Sequence, residues 1–337
     1  MEIVLSLKHQ DTINGYLVHA YPFSILNTYP EYHNYLTNNY VQCFGYLNES
    51  GFLTFDYEDG IGYNHLYHKS DPLEVNWIPY HVGLKLGIAE VIKRAIDLNH
   101  YVVIFTDEYF LKSRPSYKQK HFLHEIMITG YKNKVFTYYA FDENFKLTFD
   151  ECPQLSLAKA YKKGRHLVIP EALDWIGKKS IIFMKPRKAF CSYDISKGSF
   201  IHKLKAYNSG IFQKEYDTFI KNSEHCFIGV HNTQAIIQCV NDRVSAITYP
   251  AIHSWYESKR NLLSKMRTIL FDVSMLTNLF DKYETDIVRK ADMIRMVFLK
   301  YRRSGKINAD NTLTLLNELY SREKDIIGQI LESINES

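Results

Sequence analysis

Apolar and polar positions follow short, strand-like runs in the first half of the chain, and the clearest runs lie between residues 100 and 145. The run Tyr101–Thr106 is rich in β-branched and aromatic side chains, which is typical of a buried strand. Two more runs, 124–131 and 135–141, flank the short polar stretch 132–134. Runs joined by so few residues predict an antiparallel hairpin.

Helical periodicity appears before this hairpin and again throughout the second half of the chain. Apolar residues three or four positions apart predict an amphipathic helix over residues 81–98. Strand-like runs at 39–46 and 52–57 flank a turn signal, and the pattern from about residue 198 onward is helical. The chain is therefore predicted to be α+β, with one domain at 1–150 and a mixed, then mainly helical domain at 151–337.

Composition narrows the functional classes. The chain has 337 residues, 46% of them hydrophobic, and a net charge of +4 from 41 basic and 37 acidic residues. The numbers of basic and acidic residues are nearly equal, which argues against a nucleic-acid-binding protein, because such a protein is expected to carry a basic stripe. The five cysteines are widely spaced, without a CxxC pair, and no segment approaches the roughly 18 apolar residues of a membrane span. We expect a cytoplasmic protein that binds neither nucleic acid nor membrane.

The predicted hairpin suggests a catalytic pair. His124 stands at the start of its first strand and Asp142 follows the end of its second strand. The two ends of an antiparallel hairpin lie side by side, so we expect the carboxylate to hold the imidazole, as in a catalytic triad. Asp107 and Glu108 follow the strand at 101–106 and are interpreted as surface charge or loop anchors.

The nucleophile is open between several alternatives. Ser24 comes shortly after Pro22, which is predicted to occupy the first turn of a helix, where amide groups and the dipole favour developing negative charge. Cys43 offers the more reactive thiol but lies within a strand-like run, where a buried cysteine is typical. The third alternative is that the chain has no nucleophile.

Histidine pairs also raise the possibility of a metal site. His121 lies three residues before His124, and His65 lies three residues before His68. Neither pair has a third ligand nearby in sequence, and the HEIMI segment is not an HExxH motif. The interpretation preferred for these residues is therefore not a metal site.

Several longer segments resemble a known family. The order of helix, strand, His-led strand, short turn and strand ending in Asp resembles the papain-like fold, and within it the bacterial proteins similar to the N-terminal domain of the butirosin-biosynthesis acyltransferase. The amide-forming enzyme of closthioamide biosynthesis is a relative of the same kind. The resemblance rests on HAYPFSIL (19–26), DEYFLKSRPSYKQKHFLHEIMITGY (107–131), YYAFDEN (138–144) and RVSAITYPAIHSWYESKRNLLSKM (243–266).

The resemblance implies roles for individual residues. His124 would be the base, Asp142 would orient it, and the nucleophile position falls on Ser24, where the family has cysteine. Amide groups at the predicted helix start would hold the oxyanion. Further candidates are Gln42 for the oxyanion, Cys43 as an alternative nucleophile, and Tyr21, His121 and Tyr139 for substrate binding.

The function expected from this resemblance is acyl transfer in natural-product biosynthesis. An acyl or peptidyl carrier protein would present the acyl group as a phosphopantetheine thioester, with no other cofactor. A small-molecule amine would accept the acyl group, and an amide (or ester) bond would form. The basic edge 300–303 would suit an acidic carrier protein. The alternative is a non-catalytic protein that binds acyl groups or peptides in a biosynthetic or self-resistance system.

Overall fold

A computed structural model describes the greater part of the chain as two compact units. Unit 1 comprises Met1–His33 with Gly62–Cys191, and unit 2 comprises Asn34–Ile61 with Ser192–Ser337. The predicted boundary at residue 150 falls inside unit 1, because a later strand pairs within the sheet of that unit. The described residues are 2–48, 50–57, 72–144, 146–168, 180–187, 194–211 and 226–336.

The architecture is α+β, as predicted, and the C-terminal part is helical. The described strands are β1 (Glu2–Val4), β2 (Cys43–Leu47), β3 (Leu53–Tyr57), β4 (Leu73–Ile78), β5 (Tyr101–Asp107), β6 (Leu123–Lys132), β7 (Val135–Phe141), β8 (Leu147–Pro153), β9 (Ile181–Pro186) and β10 (Cys226–Ile228). The described α-helices are α1 (Leu17–Asn27), α2 (His33–Asn38), α3 (Tyr80–Leu86), α4 (Ile88–Asp97), α5 (Gln154–Gly164), α6 (Lys197–Ser209), α7 (Asn232–Asp242), α8 (Tyr249–Ile269), α9 (Thr277–Tyr283), α10 (Arg289–Ser304) and α11 (Ala309–Glu336).

Unit 1 is organised around an antiparallel sheet. Its strand order is β4-β9-β5-β6-β7-β8, and β1 adds to β6. The predicted hairpin is confirmed: β6 and β7 pair with Met127 opposite Tyr139, and a bulge lies between Ile128 and Gly130. Gly130 is required there, because a Cβ at this position would come within 2.6 Å of the Ile3 carbonyl oxygen on β1.

One face of this sheet carries the main core of unit 1. Alternate residues of β5 and β6, among them Ile104 and Ile126, are fully buried beneath α4 and α5. The helix predicted over 81–98 is instead two helices, α3 and α4, which meet at Gly87. Gly87 has a φ of +81°, a conformation that a residue with a side chain rarely adopts, and the break follows from it.

Helix α1 differs from its prediction. It runs from Leu17 to Asn27, so that Pro22 lies inside the helix and not in its first turn. The N-terminal end therefore falls seven residues before Ser24. Ten of the eleven residues are buried, which means that tertiary packing overrides the cost of an interior proline.

Unit 2 combines a small sheet, in the order β10-β2-β3, with helices α6 to α11. Helix α10 stops at Ser304, and Gly305 directly after it adopts the left-handed conformation. A fully buried polar group lies among these helices, in which Lys259 Nζ is 2.7 Å from Glu323 Oε2. Tyr207 and Tyr283 both donate to Glu323 Oε1, at 2.7 and 2.6 Å.

No helix within the described ranges is long and apolar enough to cross a membrane.

Candidate active site

The candidate site lies where β5 ends and β6 begins, within unit 1. The two strands pair with Thr106 opposite His124, and β5 is followed at once by Glu108, the first residue of a 3₁₀ turn. The chain then loops through residues 111–122 and returns to the same edge as β6. This return places two histidines beside two carboxylates.

His124 is held by Glu108. The His124 Nδ1 atom is 3.1 Å from Glu108 Oε1, and the Glu108 side chain is only 2% exposed. Arg114 donates to the same oxygen from Nε at 2.9 Å and from Nη2 at 2.6 Å. The Arg114 side chain is itself 3% exposed, so the three groups form a buried arrangement that opens to solvent only at the imidazole.

The electrostatics keep Glu108 ionised. Burial alone would raise the pKa of Glu108, but the hydrogen bond from His124 and the charge of Arg114 outweigh it and lower the pKa to about 2. A carboxylate acceptor at Nδ1 fixes the proton of a neutral imidazole on that nitrogen. The second nitrogen of His124, Nε2, then carries a lone pair, and none of the described residues forms a hydrogen bond with it.

A second histidine–carboxylate pair lies next to the first. His121 Nδ1 is 2.6 Å from Asp107 Oδ2, and the His121 ring stacks on Tyr109 at a centroid distance of 4.4 Å. The other oxygen of Asp107 accepts from the amides of Tyr109 and Phe122. Asp107 therefore anchors the loop, as the sequence suggested for it, while His121 stays 55% exposed.

Asp142, the predicted partner of His124, has a different role. Its Oδ1 accepts from the amides of Asn144 and Lys146, at 2.8 and 2.9 Å, and so closes the turn after β7. Arg114 donates to the Phe141 carbonyl and is 3.4 Å from His124 Nδ1. The guanidinium of Arg114 thus reaches the end of β7. The carboxylate that binds the His124 imidazole is that of Glu108, not that of Asp142.

Ser24, the predicted nucleophile, is fully buried in α1. Its hydroxyl donates to the Ala20 carbonyl at 2.7 Å and accepts from Gln10 Nε2 at 3.2 Å. Its neighbour Tyr139 stands opposite Met127 in the sheet. These contacts hold Ser24 within the packing of α1, seven residues after the N-terminal end of that helix.

The sheet separates Ser24 from His124. Side chains of a strand alternate between faces, so Met127 and its partner Tyr139 lie on the face opposite to His124. Tyr21 of α1 confirms the side on which this helix packs, since its ring lies 6.4 Å from that of Tyr139. The structure therefore does not bring the predicted serine and histidine together.

The alternative nucleophile and the oxyanion candidate belong to unit 2. Cys43 is completely buried in β2, and burial raises the pKa of its thiol, so that the reactive thiolate is disfavoured. Gln42 is 1% exposed, and its amide nitrogen donates to the Lys203 carbonyl. Its Oε1 atom is buried and accepts no hydrogen bond from any residue that the structure describes.

The tyrosines predicted to bind substrate are interior residues. Tyr21 and Tyr139 are both 0% exposed, and the Tyr21 hydroxyl lies 3.4 Å from the Glu125 carbonyl. The Tyr139 hydroxyl is 3.2 Å from His9 Nδ1. Of the three predicted substrate-binding residues, His121 is the one at the surface.

As for metal ions, no cluster of three or more His, Cys, Asp or Glu side chains is placed to bind one in the part of the chain that the structure describes. Each histidine of the pair at 121 and 124 instead has its own carboxylate. The second suggested pair, His65 and His68, lies outside the described residues.

Sequence reasoning missed Glu108 and Arg114 as site residues. The signal was the antiparallel pairing of β5 with β6, which brings the end of one strand to the start of the next. The prediction considered only the pairing of β6 with β7, because a short turn joins those two strands. Because a longer loop separates β5 from β6, their pairing could not be inferred from the local sequence.

Comparisons of this chain with protein-family models and with curated proteins found no match.

Proposed function

We propose that the protein transfers an acyl group from a carrier-protein thioester to a small-molecule amine, with His124 as the residue that moves the proton. The observation that supports this most is the Glu108–His124 pair, in which Nδ1 faces a buried carboxylate at 3.1 Å and the imidazole remains 29% exposed. Such a pairing orients an imidazole and stabilises its protonated form. The papain-like fold remains part of the proposal, supported by a histidine at a strand start in an antiparallel sheet that packs against a helix.

The proposed reaction proceeds without an acyl-enzyme. His124 Nε2 takes a proton from the amine as its nitrogen attacks the thioester carbonyl carbon, and a C–N bond forms. The carbon–sulfur bond of the tetrahedral intermediate then breaks. The imidazolium gives its proton to the departing sulfur, so that the products are an amide and a thiol and the enzyme is unchanged. This route suits a protein whose Ser24 and Cys43 are both 0% exposed.

A test compares aminolysis of acetyl-pantetheine by wild type, His124→Gln and His166→Gln. His166 is an exposed histidine of unit 1 and serves as the matched control. Loss of a general base is expected to lower kcat/KM by about 10² or more, whereas the control should keep the wild-type rate. Equal rates for the wild type and His124→Gln would rule out this role.

The burial of both candidate nucleophiles also favours a second function, non-catalytic binding of an acyl group or peptide. This candidate predicts that acetyl-pantetheine binds but is not turned over. Calorimetry would then show similar affinity for wild type and His124→Gln, without heat from a continuing reaction.

A further inference from the structure

Unit 2 contains a groove of about 510 Å³ between α8 and the helical stretch that leads into α10. One wall carries Tyr256, Arg260 and Arg267 of α8. The facing wall carries Glu284, Val288, Arg289 and Asp292. The volume falls within the range of roughly 300–1,000 Å³ that is typical of small-molecule sites.

The facing wall has an unusual backbone. The helix that begins at Thr277 widens to a π-helix at Glu284–Val288 and then continues as α10. Short π-helical turns are rare and occur frequently at functional sites. This turn begins with the groove residue Glu284 and is followed directly by Arg289, which also lines the groove.

The residues that line the groove include three arginines and two carboxylates. Both of its carboxylates have arginine partners: Glu284 lies 2.8 Å from Arg267, which also binds Asp281 at 3.0 Å, and Asp292 lies 2.6 Å from Arg295. Arg289 is exposed, and no described residue forms an ion pair or hydrogen bond with it. Arg260 adds another guanidinium to the opposite wall.

Polar contacts behind the groove hold its wall in place. Arg295 donates to the Tyr249 hydroxyl at 3.0 Å and to His253 Nδ1 at 3.3 Å. His253 Nε2 in turn lies 3.1 Å from Glu257, whose side chain is 1% exposed. Because Asp292 binds the same arginine, this wall is positioned before any ligand arrives, which lowers the entropic cost of binding.

We propose that this groove binds the phosphate group of a small phosphate ester, independently of the chemistry proposed at His124. A phosphate monoester is close to a dianion at neutral pH and has three acceptor oxygens. Guanidinium groups bind such a group through paired hydrogen bonds. Arg289 from one wall and Arg260 from the other supply the two charges, and the remaining volume accommodates the organic part of the ester.

Isothermal titration calorimetry at constant ionic strength tests the proposal with inorganic phosphate, AMP, adenosine and succinate. The test variant is Arg289→Gln. The matched control is Arg303→Gln, which removes the same charge from an exposed position of the same helix outside the groove. Thermal unfolding of both variants checks that each remains folded.

We expect phosphate and AMP to bind the wild type, adenosine and succinate to bind at least about tenfold more weakly than AMP, and Arg289→Gln to weaken AMP binding about tenfold or more. Arg303→Gln should match the wild type. An equal loss in both arginine variants would indicate non-specific attraction and overturn the proposal. So would adenosine or succinate binding as well as AMP, or no binding of phosphate and AMP at millimolar concentrations.

Discussion

Glu108 is the residue on which the candidate site depends most. Its carboxylate accepts from both Arg114 and His124, so that one buried negative charge fixes a guanidinium and an imidazole together. Removing either partner leaves the remaining charges with poorer compensation in a buried environment. Stability and proton transfer should therefore respond together to substitution at this position.

Glu108→Gln should destabilise the protein by about 3–5 kcal/mol at neutral pH, because the substitution leaves the buried Arg114 without its counter-charge. Urea unfolding measures this directly. Glu90→Gln is the control, since Glu90 is 61% exposed and its contact with Lys93 is a surface pair worth under about 1 kcal/mol. Similar losses in the two variants would contradict the structural role given to Glu108.

The depressed pKa of Glu108 also predicts a dependence of stability on pH. A carboxyl whose pKa falls on folding stabilises the folded state above the unfolded pKa, and this contribution is lost as pH decreases through the folded pKa. For Glu108 the window runs from about 4.5 down to about 2, and the difference corresponds to about 3 kcal/mol. Denaturation curves at several pH values should show this loss, and Glu108→Gln should reduce its size. An unchanged pH dependence in that variant would exclude Glu108 as the cause.

Among the elements, those with a strong local pattern were predictable from the sequence. The hairpin of β6 and β7, the strand at β5 and the helical second half all follow from hydrophobic periodicity and short turns. Helix α1 could not be placed correctly, because its interior Pro22 is tolerated only through extensive burial. The prediction that Ser24 lies near a helix N-terminus depended on that helix start and is therefore wrong.

Gly87 separates α3 from α4, and its positive φ predicts how substitution at this junction changes the stability of the protein. Gly87→Ala should destabilise the protein by about 1 kcal/mol, since alanine is strained at a φ of +81° although a Cβ there would meet no neighbouring atom within 4 Å. Gly328→Ala is the opposite case, because this glycine lies inside α11 without positive φ and with only an ordinary contact at 3.9 Å.

The second glycine substitution should raise stability by up to about 1 kcal/mol through improved helix propensity. Urea midpoints of the two variants and the wild type provide the measurement. If Gly87→Ala also proved stabilising, the positive φ assigned to Gly87 at the junction would be incorrect.

For the whole molecule, the division into units follows contacts that the linear sequence does not reveal. Residues 34–61 belong to unit 2 although unit 1 begins before them and resumes after them. Strand β2, within this segment, pairs with β10 nearly two hundred residues later. Neither composition nor periodicity marks such long-range pairings, so the predicted boundary at residue 150 rested on local changes alone.

The buried polar group of unit 2 gives a prediction at this scale. Lys259→Met should destabilise the protein by about 3–5 kcal/mol, because it leaves the fully buried Glu323 without its cation. Adding Glu323→Gln should cost less than the sum of the two single changes, since the uncompensated charge is then removed. Denaturant unfolding of both single variants and the double variant measures this coupling, and strict additivity would contradict it.

The most direct test of the account is an intact-mass and turnover measurement with acetyl-pantetheine, with and without a primary amine. Wild type, Ser24→Ala and Cys43→Ala should all form amide, and none should gain a covalent acetyl group, because His124 is proposed to act without an acyl-enzyme. An acetyl adduct that disappears in either variant would contradict this account, since it would show that the reaction passes through that buried residue.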